Sequence, residues 1–231
     1  MSFSNEWEIA YQNNTNLSIW PWSDLVSMFY HTFPESKYDY EKMNVLELGC
    51  GAGANIPFFE SLGVNYYSVE GSISEVKILK EKYESDKIHI EQGDFSRQIP
   101  FGVQYDLIFD RASVSHNETS DIKQLISQCY ELLLPTGYYI GVDWFATDEK
   151  EYVEKIDILK NVDERTFQFC GNGKYANLGN VHFTNESEIR EVFSKYTPIE
   201  ITKKTFETTY PNNDTSVHWN FIMKKENRLS Q

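Results

Sequence analysis

Three glycines at alternate positions, Gly49, Gly51 and Gly53, follow a short apolar run that ends at Leu48. Such a run, with a β-branched valine and a glycine stop, is typical of a buried strand. Glycines between a strand and a helix remove side chains where the backbone must approach a ligand. The pattern therefore predicts a cradle for a polar ligand, with an ordinary turn whose glycines serve only packing as the alternative.

Acidic side chains stand at positions that suit a ribose-containing ligand. Glu47 lies within the predicted strand, and Glu70 comes 21 positions after Gly49, close to the roughly 20 that separate such a turn from a ribose-binding acid. Asp94 and Phe95 follow a third apolar run. Because the glycine spacing also satisfies the dinucleotide fingerprint in its Gly-x-Gly-x-x-Ala form, the glycines alone leave more than one nucleoside cofactor open.

Apolar runs and helical patterns alternate along the chain, as expected of a parallel sheet covered by helices. After the first strand, the pattern predicts strands at 64–70, 87–91, 105–110 and 138–144, and helices at 55–62, 72–83 and 121–134. Beyond Trp144 it predicts helices at 148–162 and 185–196, a mobile glycine loop at 169–180, and a β-hairpin of 200–210 and 217–224.

The first forty residues are rich in aromatic side chains. One interpretation is a helix, capped by Ser23 or Asp24, that lies on the sheet with its aromatics in the core. The other is a lid in which Tyr11, Trp20 or Trp22 closes over a bound ligand. We therefore divide the chain into an N-terminal extension (1–42), a main domain (43–225) and a short tail (226–231).

The charge balance limits the partners. Of 231 residues, 21 are Lys or Arg and 35 are Asp or Glu, which gives a net charge of −14. A field of that sign repels polyanions and disfavours nucleic acid as a partner. The three cysteines show neither a disulfide framework nor metal-ligand spacing. No secretion signal or membrane-spanning run is visible, so we expect a cytoplasmic protein without a membrane partner.

In order and spacing, these motifs resemble those of the class I S-adenosylmethionine (SAM)-dependent methyltransferases over about residues 43–224. The motifs are Val45-Leu46-Glu47-Leu48-Gly49-Cys50-Gly51-Ala52-Gly53, Glu70, Gly93-Asp94-Phe95, Tyr105-Asp106-Leu107-Ile108-Phe109-Asp110-Arg111 and Leu133-Leu134-Pro135-Thr136-Gly137-Tyr138. The resemblance implies an α/β fold: a three-layer Rossmann-like sandwich with a mostly parallel seven-stranded sheet and a C-terminal antiparallel β-hairpin. It also implies SAM as cofactor and S-adenosyl-L-homocysteine as its product.

The resemblance assigns parts of SAM to particular residues. Glu47 would face the ammonium, and Glu70 would accept from both ribose hydroxyls, as two carboxylate oxygens allow. Asp94 would accept from the adenine amino group while Phe95 packs on the ring. Asp110 would line the methionyl pocket or contact the acceptor. The residues expected to bind the cofactor are Glu47, Gly49, Cys50, Gly51, Gly53, Glu70, Asp94, Phe95 and Asp110.

A nicotinamide cofactor fits the sequence less well than SAM. A dinucleotide fingerprint usually has an apolar residue where Glu47 stands, and it needs no Gly-Asp-Phe after the third strand. No Ser-Tyr-Lys or His-centred set for hydride transfer can be assembled from this sequence.

The catalytic candidates are Asp110, at the end of the fourth strand, and His116, a few residues further on. A sulfonium methyl is already activated, so the protein mainly aligns the acceptor and excludes water, but an alcohol or amine would gain from a base. The alternative for Asp110 is a surface ion pair with Arg111, and the alternative for His116 is a capping or packing role. His182, which follows the glycine loop and could reach the site from above, is a weaker candidate. Asp143 could hold a divalent ion together with Asp110, but two carboxylates without a third ligand do not predict a metal site.

These observations predict a SAM-dependent methyltransferase that acts on an O, N or S atom of a small polar or carbohydrate-like acceptor. Two alternatives stay open: a SAM-binding sensor or scaffold without turnover, because no base is compelling, and a protein methyltransferase. The oligomeric state does not follow from the sequence.

Overall fold

A seven-stranded sheet forms the centre of the computed structural model, which describes residues 5–13, 18–211 and 213–226. The strands of the described residues, including three that form a second, small sheet, are β1 (Asn44–Leu48), β2 (Asn65–Glu70), β3 (Ile88–Gln92), β4 (Tyr105–Arg111), β5 (Leu133–Phe145), β6 (Ile158–Asn161), β7 (Thr166–Phe169), β8 (Val181–His182), β9 (Tyr196–Thr208) and β10 (Asp214–Lys225). The main sheet has the order β3-β2-β1-β4-β5-β10-β9, with β1 to β5 parallel and β10 antiparallel to its neighbours. The predicted sheet and closing hairpin are confirmed.

Helices cover both faces of this sheet. They are α1 (Asn5–Gln12), α2 (Ser23–Thr32), α3 (Ile56–Leu62), α4 (Ile73–Lys82), α5 (Thr119–Leu132), α6 (Lys150–Glu154) and α7 (Glu186–Val192), with short 3-10 turns at Tyr40–Lys42 and Val114–His116. One apolar core joins the sheet to α2, α3 and α4, and a second joins its other face to α5 and α7.

Strand β4 shows why the sheet lies between two cores. Successive side chains of a strand point to opposite faces. Leu107 and Phe109 therefore belong to the core under α2 to α4, while Ile108 belongs to the core under α5 and α7, and all three are fully buried. The predicted three-layer sandwich is confirmed.

The predicted cap of the N-terminal helix by Ser23 or Asp24 is wrong, because the N-cap residue of α2 is Trp22, which makes no side-chain cap. Side-chain caps do begin α4 and α7. The Ser72 hydroxyl accepts from the Glu75 N–H at 3.1 Å and begins α4. Asn185 does the same for the Glu188 N–H at 2.9 Å and begins α7. Such caps satisfy N–H groups that have no partner within the helix.

The predicted helix at 148–162 is largely wrong. Only α6 is helical there, and Lys155 and Asp157 then adopt left-handed backbone with φ of 52° and 53°. The chain continues as β6 of an antiparallel sheet, β6-β7-β8, which the sequence did not predict. This small sheet has its own apolar core, which includes Phe167, Phe169 and Phe183.

The two N-terminal helices differ in their packing. Leu25, Met28 and Phe29 of α2 are buried in the core of the main sheet, whereas no residue of α1 is fully buried. None of the helices in the described ranges is long and apolar enough to cross a membrane. Residues 227–231 of the expected tail lie outside the described residues.

Candidate functional site

A cavity of about 600 Å³ lies at the carboxyl ends of the parallel strands, the edge at which ligands bind open α/β sheets. It reaches from the glycine turn after β1 to the loop between β7 and β8 and to β10. The predicted cofactor-binding and catalytic residues that line it are Glu47, Gly49, Cys50, Glu70, Asp94, Phe95 and His116.

The left-handed backbone of the turn after β1 requires glycine. Gly49 and Gly51 have φ of +75° and +51°, a region that L side chains rarely adopt. A Cβ on Gly49 would lie 2.8 Å from the Cβ of Ser113, and one on Gly51 would lie 2.6 Å from the hydroxyl oxygen of Tyr11. Gly53 shares this backbone conformation, with φ of +79°, and packs against α4, where a Cβ would meet a leucine methyl at 2.6 Å.

Glu70 ends β2 and turns its carboxylate towards the glycine turn. Its Oε2 accepts from the Gly51 N–H at 2.8 Å, and its Oε1 accepts from the Ser72 N–H at 2.9 Å. Burial raises its pKa, against the effect of these backbone donors. Because each carboxylate oxygen has further acceptor capacity, Glu70 can hold the turn and still accept from a ligand.

Glu47 makes the same end of the cavity electronegative. Its Oε1 accepts from Asn55 Nδ2 at 2.8 Å, and its Oε2 accepts from the Tyr66 hydroxyl. Burial raises the pKa of Glu47 to about 7 despite these hydrogen bonds. Neither Glu47 nor Glu70 forms an ion pair with another described residue, so this end suits a ligand that carries positive charge.

The turn after β3 supplies a third carboxylate and an aromatic face. The Oδ1 atom of Asp94 accepts from the N–H and the hydroxyl of Ser96 at 3.0 and 2.7 Å. Phe95 lies beside the glycine turn, since a Cβ on Gly49 would be 3.2 Å from its Cε1 atom. Burial raises the pKa of the Cys50 thiol well above its usual value, which leaves an unreactive thiol as the small filler between two glycines.

Asp110 does not line the cavity, contrary to the sequence-based expectation. Its fully buried carboxylate accepts from the Tyr139 hydroxyl at 2.8 Å, from Trp144 Nε1 at 2.9 and 3.1 Å, and from the Val114 N–H at 3.1 Å. Burial raises its pKa to about 6. Because adjacent strand residues face opposite ways, the neighbouring Arg111 lines the cavity in its place.

His116 lies in the short helical turn after β4 and lines the cavity. Its Nδ1 is 2.8 Å from the carbonyl oxygen of Asn180; since a carbonyl only accepts, Nδ1 carries the proton of the neutral ring and Nε2 is left as an acceptor. The ring contacts Trp7 and Phe145 at centroid distances of 4.9 and 5.6 Å. Burial, reinforced by the charge of Arg111, lowers the pKa of His116 to about 4, so the ring is neutral at pH 7.

Four charged residues that the sequence analysis did not group together form a charge quartet: Asp24, Arg111, Asp143 and Lys204. Asp143 accepts from Arg111 Nε at 3.1 Å and from Lys204 Nζ at 2.7 Å, and Lys204 also pairs with Asp24 of α2. Arg111 stacks on Trp22, with its guanidinium carbon 3.7 Å from the ring centroid. The carboxylate of Asp143 is thus engaged by two cations, and the quartet ties α2 to β4, β5 and β9.

Helix α1 lies over the glycine end of the cavity. Trp7 and Tyr11 line the cavity, and Glu8 accepts from the Ser72 hydroxyl at 2.6 Å. Trp22 also lines it, whereas Trp20 is 73% exposed and does not. The two interpretations of the N-terminal segment therefore apply to different helices, since α2 packs on the sheet and α1 covers the cavity.

The opposite end of the cavity, here called the aromatic end, is formed by Phe145, Tyr175, Leu178 and His218. Phe145 packs against Tyr175 and His218 with centroid distances of 5.0 and 6.0 Å. The segment 169–180, predicted as a loop, contributes Tyr175, which is only 2% exposed. No sequence motif pointed to these residues, because they meet only through the small sheet and the hairpin.

Of the two weaker candidates, Asp143 lines the cavity but is already bound by two cations, whereas His182 does not reach the cavity. His182 is buried in the small sheet, where its Nδ1 lies 2.9 Å from the Thr166 hydroxyl, and it is not a lining residue. Across the described ranges, no three His, Cys, Asp or Glu side chains are close enough to hold a metal ion.

Comparison with known proteins identifies the central part of the chain. Residues 45–137 match a family model described as a methyltransferase domain. A phosphoethanolamine N-methyltransferase of Plasmodium falciparum is 24% identical over 141 residues, which are 60% of this chain and 52% of that relative. The chain thus spans about half the length of the curated relative that it matches.

Solved structures agree with this assignment at the level of the fold. A SAM-dependent methyltransferase from Methanosarcina mazei is 15% identical with a TM-score of 0.67, over 91% of this chain and 99% of that one. The N-methyltransferase NodS of Bradyrhizobium japonicum, in complex with S-adenosyl-L-homocysteine, is 12% identical with a TM-score of 0.63, over 96% and 99%. The class I SAM-dependent methyltransferase fold that the resemblance implies is confirmed.

Proposed function

We propose that this chain, which carries a methyltransferase domain on the class I SAM-dependent fold, transfers the methyl group of SAM to an O, N or S atom of a small polar molecule. One observation carries the proposal. A single cavity joins the glycine turn, Glu47 and Glu70 at one end to an aromatic end of different chemistry, so it offers room for a cofactor and an acceptor together. The relatives that are N-methyltransferases by name support the same reaction class.

The electronegative end suits the cofactor. Glu47, whose pKa burial raises to about 7, would be held ionised by the ammonium of SAM, because an opposite charge favours the charged form. Glu70 has acceptor capacity left for the ribose hydroxyls. Asp94 and Phe95 line the cavity after β3, where they would meet the adenine. Tyr11 of α1 would cover the ligand from outside.

The chain then has three tasks in the reaction. SAM, when bound, supplies a methyl group on a positively charged sulfur. The enclosure between α1 and the small sheet excludes water, and the aromatic end orients the acceptor. The Nε2 atom of His116, unprotonated because Nδ1 donates to Asn180, accepts the proton that an oxygen or nitrogen acceptor releases.

Calorimetry tests the cofactor site. Purified protein should bind SAM, and Glu70→Ala should weaken the binding at least about tenfold, because hydrogen bonds to a charged group are worth about 1.5–3 kcal/mol each. Glu70→Gln should retain part of the affinity, since its amide oxygen still accepts. Glu60→Ala, on the exposed side of α3, is the matched control and should bind as the wild type does. If saturating SAM produces no heat of binding and no shift in the melting temperature, the proposal is wrong.

Isotope transfer tests the reaction. Methyl-labelled SAM, incubated with the protein and a cell extract, should leave label in the small-molecule fraction. Label in the protein fraction instead would indicate a protein methyltransferase. SAM binding without transfer to either fraction would indicate a sensor or scaffold.

A further inference from the structure

Two buried polar atoms at the aromatic end have no hydrogen-bond partner among the described residues. They are the hydroxyl of Tyr175 and the Nδ1 of His218, and both residues line the cavity. Burial raises the pKa of Tyr175, and the nearby carboxylate of Glu149 raises it further through its charge and a weak hydrogen-bonding contribution. The Tyr175 hydroxyl nevertheless lacks the distance and angle of a full hydrogen bond to any described residue. Buried polar atoms without partners cost free energy, so a ligand that supplies the partners recovers it.

The charges around these atoms are already balanced. The charge quartet holds two cations and two anions, with Asp143 bound to both Arg111 and Lys204. Lys174, the other cation that lines this end, lies 3.1 Å from both carboxylate oxygens of Glu149. A charged group that entered would lose its hydration and find no unpaired countercharge among the described residues.

The Tyr175 phenol and the His218 imidazole, whose buried atoms lack partners, are both uncharged at pH 7. Burial lowers the pKa of His218 to about 4; the charge of Asp143 opposes this shift, and the neighbouring cations Lys174, Lys204 and Arg111 favour it. These two side chains therefore offer hydrogen bonds without charge, in contrast to the carboxylates of Glu47 and Glu70 at the other end of the cavity. A neutral polar ligand fits such groups better than an ion does.

The walls of this end are flat and apolar. Phe145 lies between Tyr175, His218 and the proposed base His116, at centroid distances of 5.0, 6.0 and 5.6 Å. Leu178 completes the wall. Aromatic faces bury flat rings well and leave polar edges free for hydrogen bonds, and contact with Phe145 keeps such a ring beside His116.

We propose that the acceptor site takes an uncharged ring compound with polar substituents, which packs on the aromatic end and bonds to the Tyr175 hydroxyl and His218 Nδ1. The inference rests on the proposed function and specifies its acceptor. Hydroxylated aromatic rings and sugar rings share this chemistry, and the experiment distinguishes them.

Binding of four probes to the full-length protein saturated with S-adenosyl-L-homocysteine tests the proposal by ligand-observed NMR. Catechol is compared with protocatechuate, and methyl glucoside with methyl glucuronide, because each pair differs by one carboxylate on the same ring. At least one uncharged probe should bind about tenfold or more tightly than its charged partner. The better uncharged probe identifies the ring type.

Tyr175→Phe should lower the affinity for the preferred uncharged probe about fivefold to tenfold, since the substitution removes one hydrogen bond and keeps the ring. Tyr83→Phe is the matched control, because that hydroxyl is also buried without a partner but lies outside the cavity lining. It should bind the probe as the wild type does.

Tighter binding of the charged probes, no binding of either uncharged probe, or an unchanged affinity in Tyr175→Phe would each overturn the inference. Calorimetry with S-adenosyl-L-homocysteine separates this failure from that of the proposed function. If the cofactor product binds while the ring probes fail, only the acceptor assignment falls; if it does not bind, the cofactor site itself is wrong.

Discussion

Replacing Glu47 with glutamine should change how stability depends on pH. The pKa of this side chain is 4.5 for an unperturbed glutamate and about 7 in the folded protein, because burial disfavours the ionised form. Between those values the folded protein keeps a proton that the unfolded chain releases, so the free energy of unfolding falls as pH rises. A difference of about 2.5 pH units, at about 1.36 kcal/mol each, corresponds to about 3 kcal/mol.

Urea unfolding followed by tryptophan fluorescence, from about pH 5 to about pH 8, measures this effect. The wild type should lose up to about 3 kcal/mol relative to Glu47→Gln across this range, because the amide stays neutral. The opposing contribution of other groups is common to both proteins and cancels in the difference. Glu60→Gln, on the exposed side of α3, should show no such trend. If the difference in the free energy of unfolding between the wild type and Glu47→Gln does not vary with pH, the reasoning is refuted.

Two further substitutions separate binding from structural roles. Gly51→Ala should weaken SAM binding at least about tenfold and destabilise the protein by about 1–2 kcal/mol, because φ is +51° and the new Cβ would lie 2.6 Å from the Tyr11 hydroxyl oxygen. Calorimetry and urea unfolding measure the two effects, and an unchanged dissociation constant would contradict the role of the turn. Asp110→Ala should lower the free energy of unfolding by about 3 kcal/mol, because Tyr139 and Trp144 lose a buried acceptor. Lost turnover with unchanged stability would instead make Asp110 catalytic.

The sheet could be predicted because its signals are local. Apolar runs of strand length, glycine after β1 and the caps at Ser72 and Asn185 act over a few neighbouring residues. The small sheet could not be predicted in the same way. Its strand β6 is mostly exposed and follows a charged segment, which resembles a solvated helix until β7 pairs with it.

The same contrast between local signals and long-range contacts applies to the predicted site. Glu47, Gly49 and Glu70 lie at element ends that the motif itself marks, and all three line the cavity. Asp110 and Arg111 are adjacent in the sequence, but only the second reaches the cavity. Which of two neighbours points into a site depends on the face of the strand, and the buried donors Tyr139 and Trp144 occupy the face of Asp110.

By itself, the sequence determined the order of the strands and helices of the main sheet, the glycine turn, the positions of Glu47 and Glu70, and the resemblance to SAM-dependent methyltransferases. Only the tertiary structure decided that Tyr11, Tyr175 and His218 meet around one cavity, and that Lys204 shares Asp143 with Arg111. Motifs act through the backbone of a few consecutive residues, whereas these contacts join segments far apart in the chain. Strand register and core packing set them, and no short stretch of sequence contains that information.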